Sequence, residues 1–97
     1  MFYPAPVPAP VYFDIEQLQA MQAWGAAWPL GLRLRIALDH AAFPEIAEVY
    51  LGPVLRYLVH ATENGSVVLC SSQGRERRLP TIEAALVRIL ELEMQQA

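Results

Sequence analysis

Residues 54–72 read VLRYLVHATENGSVVLCSS, and this stretch decides the fold class. Apolar side chains recur at alternate positions on both sides of a central polar segment, which is the period of half-buried β-strands. Within that segment, Asn64 and Gly65 form the residue pair preferred in two-residue type I′ turns. The sequence therefore predicts a β-hairpin closed by Asn64 and Gly65.

This loop also predicts which residues face each other across the hairpin. It sets Ala61 opposite Val68 and Val59 opposite Cys70, on one apolar face. On that face Cys70 is expected to be a buried, unreactive thiol. His60 then lies on the other face of its strand, which argues against a catalytic pair of Cys70 and His60.

Three more segments complete the predicted sheet. Residues 32–38 alternate between apolar residues and a solvent-facing set that includes Arg33 and Arg35. Residues 46–51 fit either a short helix or a strand, and a strand is preferred because so short a helix has little stability of its own. Residues 75–79 follow a turn and form a further strand.

A helix is predicted to begin after Asp14, which forms a capping-box pair with Gln17. Pro29 is expected to end this helix near Trp28. Both tryptophans, Trp24 and Trp28, are expected to pack on the sheet. The residues predicted to share one face of the helix are Ile15, Leu18, Met21, Gly25 and Trp28.

A second helix follows Pro80, with Thr81 as its N-cap. Its apolar stripe at helical spacing consists of Ile82, Ala85, Leu86, Ile89 and Leu90. Val87 and Met94 lie off this stripe and widen the apolar surface beyond what one contact with a sheet requires. We therefore predict that Val87 and Met94 contact a partner.

Together these elements predict an α+β domain: a small antiparallel sheet of four to five strands, arranged as a meander, with an N-terminal and a C-terminal helix packed on one face. The chain has 97 residues, which suits one domain. We assign that domain to residues 14–97 and a proline-rich, extended arm to residues 1–13. Phe2, Tyr3 and Tyr12 make the arm more aromatic than a flexible tail would be. The arm is expected to be a disordered leader, to lie on its own domain, or to pack on a partner subunit.

Composition favours a binding function. Hydrophobic residues make up 55% of the chain and charged residues 18%, whereas ordinary soluble domains have about 25% charged residues. A small domain has proportionally more surface and should carry more charge, so the apolar excess predicts a surface that meets another chain. The leading hypothesis is a non-enzymatic protein-binding module, acting as a small regulatory, inhibitory or assembly subunit and associating with itself as a homo-oligomer.

The alternative hypothesis rests on arginines. Arg75, Arg77 and Arg78 form one cluster, which Arg33 and Arg35 extend if the two strands are neighbours in the sheet. The net charge of −3 and pI of 5.2 argue against a general affinity for nucleic acid, so a nucleic-acid partner is the less favoured prediction.

The closing strand–turn–helix pattern, residues 67–86, resembles the ends of small plasmid- and phage-borne accessory proteins. This resemblance implies no functional residue. The alternative is therefore a small nucleic-acid-binding regulator of a plasmid- or phage-type element.

The sequence contains no catalytic constellation and no glycine-rich phosphate loop, so we expect no enzymatic activity and no cofactor. With one cysteine and two histidines, neither an internal disulfide nor a zinc site is expected. The longest uncharged apolar stretch, residues 23–32, is about half a membrane span, and the start lacks the pattern of a signal peptide. A cytoplasmic location without membrane contact is therefore expected.

Overall fold

A computed structural model describes residues 11–39 and 41–95. Two α-helices flank five β-strands, and the elements in chain order are α1 (Ile15–Ala26), β1 (Leu32–Leu38), β2 (Pro44–Leu51), β3 (Val54–Ala61), β4 (Val67–Ser71), β5 (Glu76–Leu79) and α2 (Ile82–Gln95). The five strands form one antiparallel sheet in the order β1-β2-β3-β4-β5. The predicted α+β meander is confirmed, and residues 46–51 belong to a strand, as preferred.

Both helices pack on the sheet and enclose a single core with it. The core side chains come from alternate positions of the strands and from one stripe of α2, and neither α1 nor α2 covers the other sheet face. The buried apolar residues are Phe13, Met21, Leu32, Ala47, Val49, Tyr57, Val59, Val67, Leu69, Leu79, Ile82, Ala85, Leu86 and Ile89. Phe13 shows that the core begins inside the segment assigned to the arm.

Helix α1 begins as predicted, and Leu18 and Met21 of its predicted face pack in the core, but Ile15 of that face does not. The Asp14 carboxylate accepts the Gln17 backbone N–H (2.7 Å), and the Gln17 side chain accepts the Asp14 backbone N–H (2.9 Å). Gln17 and Met21 are buried, whereas Ile15 is 73% exposed. Gln17 also donates to the Gly65 carbonyl at 3.1 Å, and this tertiary bond rotates the helix so that Ile15 faces solvent.

Gly25 lies where α1 crosses β1, because a Cβ added there would be 3.4 Å from Leu34 Cβ. The helix ends at Ala26, and Trp28 lies beyond it, 60% exposed. The expectation that Trp28 packs on the sheet was wrong, because Pro29 disfavours a right-handed helical conformation for the residue before it. Trp24, in contrast, packs against the core as expected.

The β3–β4 hairpin forms, but its predicted register was wrong by one residue. The loop comprises residues 62–66, with a short 3-10 turn at Glu63–Gly65, and not the two residues Asn64 and Gly65 alone. The Thr62 N–H donates to the Ser66 carbonyl, and the two hydroxyls of these residues hydrogen-bond to each other. These bonds stabilise the wider loop.

The shifted register places Val59 opposite Leu69 and Leu58 opposite Cys70. Because successive side chains of a strand point to opposite faces, Cys70 lies on the sheet face away from the helices and not in the core. His60 lies on this same face, away from the core as predicted, so the assignment of Cys70 was wrong and the two residues share a face instead of lying on opposite faces. Tyr57 and Val59 are in the core as expected.

Helix α2 matches its prediction closely. The Thr81 hydroxyl accepts the Ala84 backbone N–H at 3.1 Å, as an N-cap does. The predicted apolar stripe packs into the core, with Ile82 and Ile89 almost fully buried. Arg88 and Glu91 form an ion pair of 3.1 Å on the outer side.

Asp14→Ala tests the capping box. Removing the carboxylate leaves the Gln17 N–H without its acceptor, and we expect the free energy of unfolding to fall by about 1 kcal/mol. For a domain near 100 residues this corresponds to a melting temperature lower by roughly 4–8 °C, measured by calorimetry. Asp14→Asn retains an acceptor oxygen and should remain close to the parent, so an equal loss in both variants would contradict the assignment.

Candidate functional site

One end of the sheet exposes a cluster of large apolar side chains. It consists of Trp28 and Leu30 before β1, Leu51 at the end of β2, and Val54 and Leu55 at the start of β3. Trp28 is 60% exposed and Leu30 56% exposed. We call these five residues the apolar end.

The members of the apolar end are neighbours in space. Leu51 pairs with Leu32, the first residue of β1, and Val54 pairs with Leu51. A Cβ added to Gly31 would lie 3.8 Å from Leu51 Cδ1, so the segment before β1 lies against Leu51. The same segment contacts α2 on its other side. These contacts place Leu51, Val54 and the segment before β1 at the same end of the sheet, where Leu55 pairs with Tyr50 of the neighbouring strand.

The backbone that presents Trp28 and Leu30 is strained. Both residues adopt left-handed conformations, with φ of 50° and 53°, which cost a non-glycine residue roughly 1–2 kcal/mol each. The Trp28 N–H donates to the Gly25 carbonyl (3.1 Å), and the Gly31 N–H donates to the Trp28 carbonyl (3.0 Å). Stabilising contacts in the fold therefore offset the conformational cost of a segment that leaves two bulky side chains in solvent.

Strand β1 forms one edge of the sheet, and it begins at the apolar end. It has seven residues in an alternating pattern. On the side away from β2 it therefore presents a long row of backbone N–H and C=O groups that no described strand pairs with. The opposite edge, β5, has four residues, of which Glu76, Arg77 and Arg78 are charged and exposed. Charge and shortness protect an edge from pairing with other chains, so β1 is the less protected edge.

The residues predicted to bind a partner are spread over several places. Val87 and Met94 are exposed on α2. The Tyr12 ring stacks on Phe43 with centroids 4.8 Å apart, and its hydroxyl donates to Asp39 at 2.7 Å, so Tyr12 is engaged within its own chain. Phe2 and Tyr3 lie outside the described residues.

The predicted anion-contacting arginines form two groups and not one. Arg33 and Arg35 lie on β1, whereas Arg77 and Arg78 lie on β5 and Arg75 lies in the turn before it. Four strand spacings separate the two edges, roughly 19 Å. The condition that Arg33 and Arg35 extend the Arg75–Arg78 cluster is therefore not met.

Two arginines of that cluster line a cavity of about 260 Å³ between α2 and the turn from β4 to β5. We call it the arginine cavity. Its charged lining consists of Arg56, Arg75, Arg77, Arg88 and Glu76, and its other lining residues are Tyr57, Leu69, Ser71, Ser72, Gln73 and Leu92.

Ion pairs hold two of the cavity arginines in place. Arg56 makes a two-pronged contact with Glu93, with Nε to Oε1 at 2.9 Å and Nη2 to Oε2 at 3.3 Å. Arg88 pairs with Glu91. The local sequence did not indicate Arg56 as a site residue, because its salt-bridge partner lies 37 positions away in α2.

Tyr57 lies at the inner wall of the arginine cavity and is only 2% exposed. Its hydroxyl finds no hydrogen-bond partner among the described residues. Burial, and then the Glu93 carboxylate, raise the pKa of Tyr57 to about 12. A buried hydroxyl without a partner is uncommon in native structures and requires an explanation.

The described residues offer little for catalysis. Burial and the nearby Glu76 raise the pKa of the Cys70 thiol, so it remains mostly protonated and weakly nucleophilic. Within residues 11–39 and 41–95, no three or more His, Cys, Asp or Glu side chains are grouped as metal ligands would be. No helix in this part of the chain is both long and apolar enough to cross a membrane. His40 is outside the described residues.

Comparison with known proteins gives no relative: no protein-family model, no curated protein and no solved structure matches this chain. Its function must therefore be argued from the residues and their geometry.

Tyr12 and Tyr57 should both titrate at high pH. The pKa of Tyr12 is raised to about 12, first by its hydrogen bond to Asp39 and then by burial, and that of Tyr57 to about 12 by burial. Both are raised above the unfolded value of about 10, so their stabilisation is complete below pH 10 and is lost as the pH rises toward 12.

The measurement is phenolate absorbance against pH, for the parent and for Tyr57→Phe. We expect Tyr57→Phe to reduce the absorbance change near pH 12 by one phenolate and to leave the rest of the titration unchanged. A reduction at lower pH in that variant would contradict the burial argument.

Proposed function

We propose that this chain is a non-enzymatic protein-binding module that associates with a second copy of itself through the apolar end and the free edge of β1. Acting as a small regulatory, inhibitory or assembly subunit in the cytoplasm belongs to the same proposal. The observation that carries it is the strained backbone that holds Trp28 and Leu30 in solvent.

Strain of this kind favours a binding role because it leaves two bulky apolar side chains in solvent, where they contribute little to the core of the monomer. Left-handed bulky residues persist only where surrounding contacts impose them, and they cluster at binding and switch sites. Tryptophan is also among the residues that contribute most to binding energy at protein interfaces. A partner that covers Trp28 and Leu30 recovers free energy that the monomer leaves unused.

A second copy suits this surface because β1 has apolar side chains at both of its ends. Leu38 closes β1 and is 58% exposed, and Phe43, just before β2, is 50% exposed. Antiparallel pairing of β1 with β1 of a second copy brings the start of one strand beside the end of the other. Trp28 and Leu30 of each copy then lie near Phe43 of the other copy. One symmetric contact therefore covers the exposed side chains of Trp28, Leu30, Leu38 and Phe43.

The register of this pairing also has an electrostatic preference. A two-fold axis at Ile36 sets Leu34 opposite Leu38 of the second copy and Arg35 opposite Ala37 of the second copy. Like charges opposite each other destabilise a strand pair, and this register avoids them. The two sheets then continue into one another through backbone hydrogen bonds, as in strand addition.

Leu30→Asn tests the proposal. Asparagine tolerates the left-handed conformation and is close in size to leucine, so the monomer should remain folded while the apolar contact is lost. We expect the parent to sediment as a dimer that dissociates on dilution. Leu30→Asn should dissociate at a concentration at least about tenfold higher, because burying a leucine contributes roughly 1.5–3 kcal/mol.

Ile15→Asn is the matched control, because Ile15 is even more exposed but lies at the start of α1, roughly 16 Å along the helix from its last residue. It should leave association unchanged. Leu38→Asn should weaken association as Leu30→Asn does if β1 edges pair. A parent that stays monomeric at every concentration, or equal weakening by Ile15→Asn, would refute self-association.

Nucleic-acid binding stays an alternative prediction and receives less support from the geometry. The two arginine groups lie on opposite edges of the sheet, and Arg35 faces Glu48 at 3.9 Å. A continuous line of cations is what a phosphodiester backbone requires for affinity.

A further inference from the structure

We infer that the arginine cavity is a binding site for the phosphate group of a small phosphate monoester. This site goes beyond the proposed self-association and does not depend on it, because it is enclosed by α2, β3, β4 and β5 and shares no residue with the apolar end.

The charge of the cavity favours an anion. Four arginines line it, and three carboxylates lie in or beside it: Glu76 in the lining, Glu91 on Arg88 and Glu93 on Arg56. Arg75 and Arg77 form no ion pair with any described residue. The cavity therefore keeps an excess of positive charge, with Arg75 and Arg77 available to a ligand.

The ion pairs prepare the cavity for recognition of a flat or tetrahedral oxyanion. A guanidinium group that already has one carboxylate partner is fixed in orientation, and its remaining N–H groups point in known directions. Arg56 is held in this way by Glu93, at the inner end of the cavity. Arg77 faces the cavity from β5, opposite Leu69. Arginines converging from different strands and from α2 match the several oxygens of a phosphate.

Tyr57 supplies an independent observation. Its hydroxyl is buried at the wall of this cavity beside the Glu93 carboxylate, and it forms no direct hydrogen bond with a described residue. Burying such a group without a partner is unfavourable. A phosphate oxygen that reaches this hydroxyl would compete with Glu93 for its hydrogen bond, and Tyr57→Phe distinguishes the two cases.

Size and shape favour a small phosphate monoester over a polymer. The cavity volume of about 260 Å³ lies just below the roughly 300–1,000 Å³ of sites for drug-sized ligands. Leu69 and Leu92 provide an apolar wall next to the charged one, which suits a short organic group attached to the phosphate. A nucleic-acid backbone requires an extended row of cations, whereas these arginines converge on one concave point.

The test is calorimetric titration of the full chain with phenyl phosphate. We expect saturable binding of one ligand per chain. Arg77→Gln removes a charged donor and should weaken binding by roughly tenfold or more, because a hydrogen bond to a charged group is worth about 1.5–3 kcal/mol. Arg33→Gln makes the same change on the opposite edge of the sheet and should leave binding unchanged.

Tyr57→Phe separates a ligand role from a structural one. If the hydroxyl serves the ligand, this variant keeps or raises the melting temperature of the free chain and weakens phenyl phosphate binding. A lower melting temperature with unchanged binding would remove Tyr57 from the site. Inorganic phosphate distinguishes the ligand sources: equal affinity means that the anion alone is recognised, and weaker affinity than phenyl phosphate means that the apolar wall also contributes.

Three results would overturn the inference. They are the absence of saturable binding at millimolar phenyl phosphate, equal weakening by Arg33→Gln and Arg77→Gln, and displacement of phenyl phosphate by single-stranded DNA with a steep dependence on salt. None of them bears on self-association, which sedimentation reports separately.

Discussion

The register between β3 and β4 is the constraint on which the rest of the structure depends. Side chains alternate between the two faces along a strand. If β4 shifted by one residue against β3, its core side chains would point to the face away from the helices, and its outer side chains would point into the core. Val59 and Leu69 face each other in the core only because the connecting loop has five residues and not two. The Thr62–Ser66 bonds and the Gln17 contact to Gly65 stabilise this loop length.

Gln17 connects this constraint to the first helix. It completes the capping box at the start of α1 and donates to the loop of the hairpin, so one buried side chain sets both the beginning of the helix and its position on the sheet. The orientation that results exposes Ile15 and directs the end of α1 toward β1, where Gly25 allows close approach to Leu34. From there the chain must reach β1 within a few residues, through the strained segment that exposes Trp28 and Leu30.

The two proposed binding surfaces lie in different parts of the molecule and depend on different interactions. The apolar end and the β1 edge offer unsatisfied apolar area and free backbone groups, which suit another protein chain. The arginine cavity offers fixed guanidinium groups and an unpartnered hydroxyl, which suit a small anion. All seven basic residues of the chain are arginines, and four of them line this cavity. Their convergence explains why an acidic chain can still present a local positive site.

The sequence by itself determined the elements and their order. Alternation identified the strands, the Asp14–Gln17 pair and Thr81 identified the helix starts, and short connections identified the meander, because all of these depend on interactions within a few residues. The exposure of Val87 and Met94 followed from helical spacing in the same way. Composition also indicated an apolar surface, without locating it.

Only the tertiary structure decided where the candidate sites lie. The hairpin loop depends on a contact from Gln17, 48 residues away, so the face of Cys70 did not follow from local alternation. Arg56 and Tyr57 become cavity residues only when α2 brings Glu93 and Arg88 over β3. Strand order separated Arg33 from Arg77 by the width of the sheet. In each case the deciding interaction joins residues far apart in sequence, and a pattern within a few residues does not indicate which distant residues will be in contact.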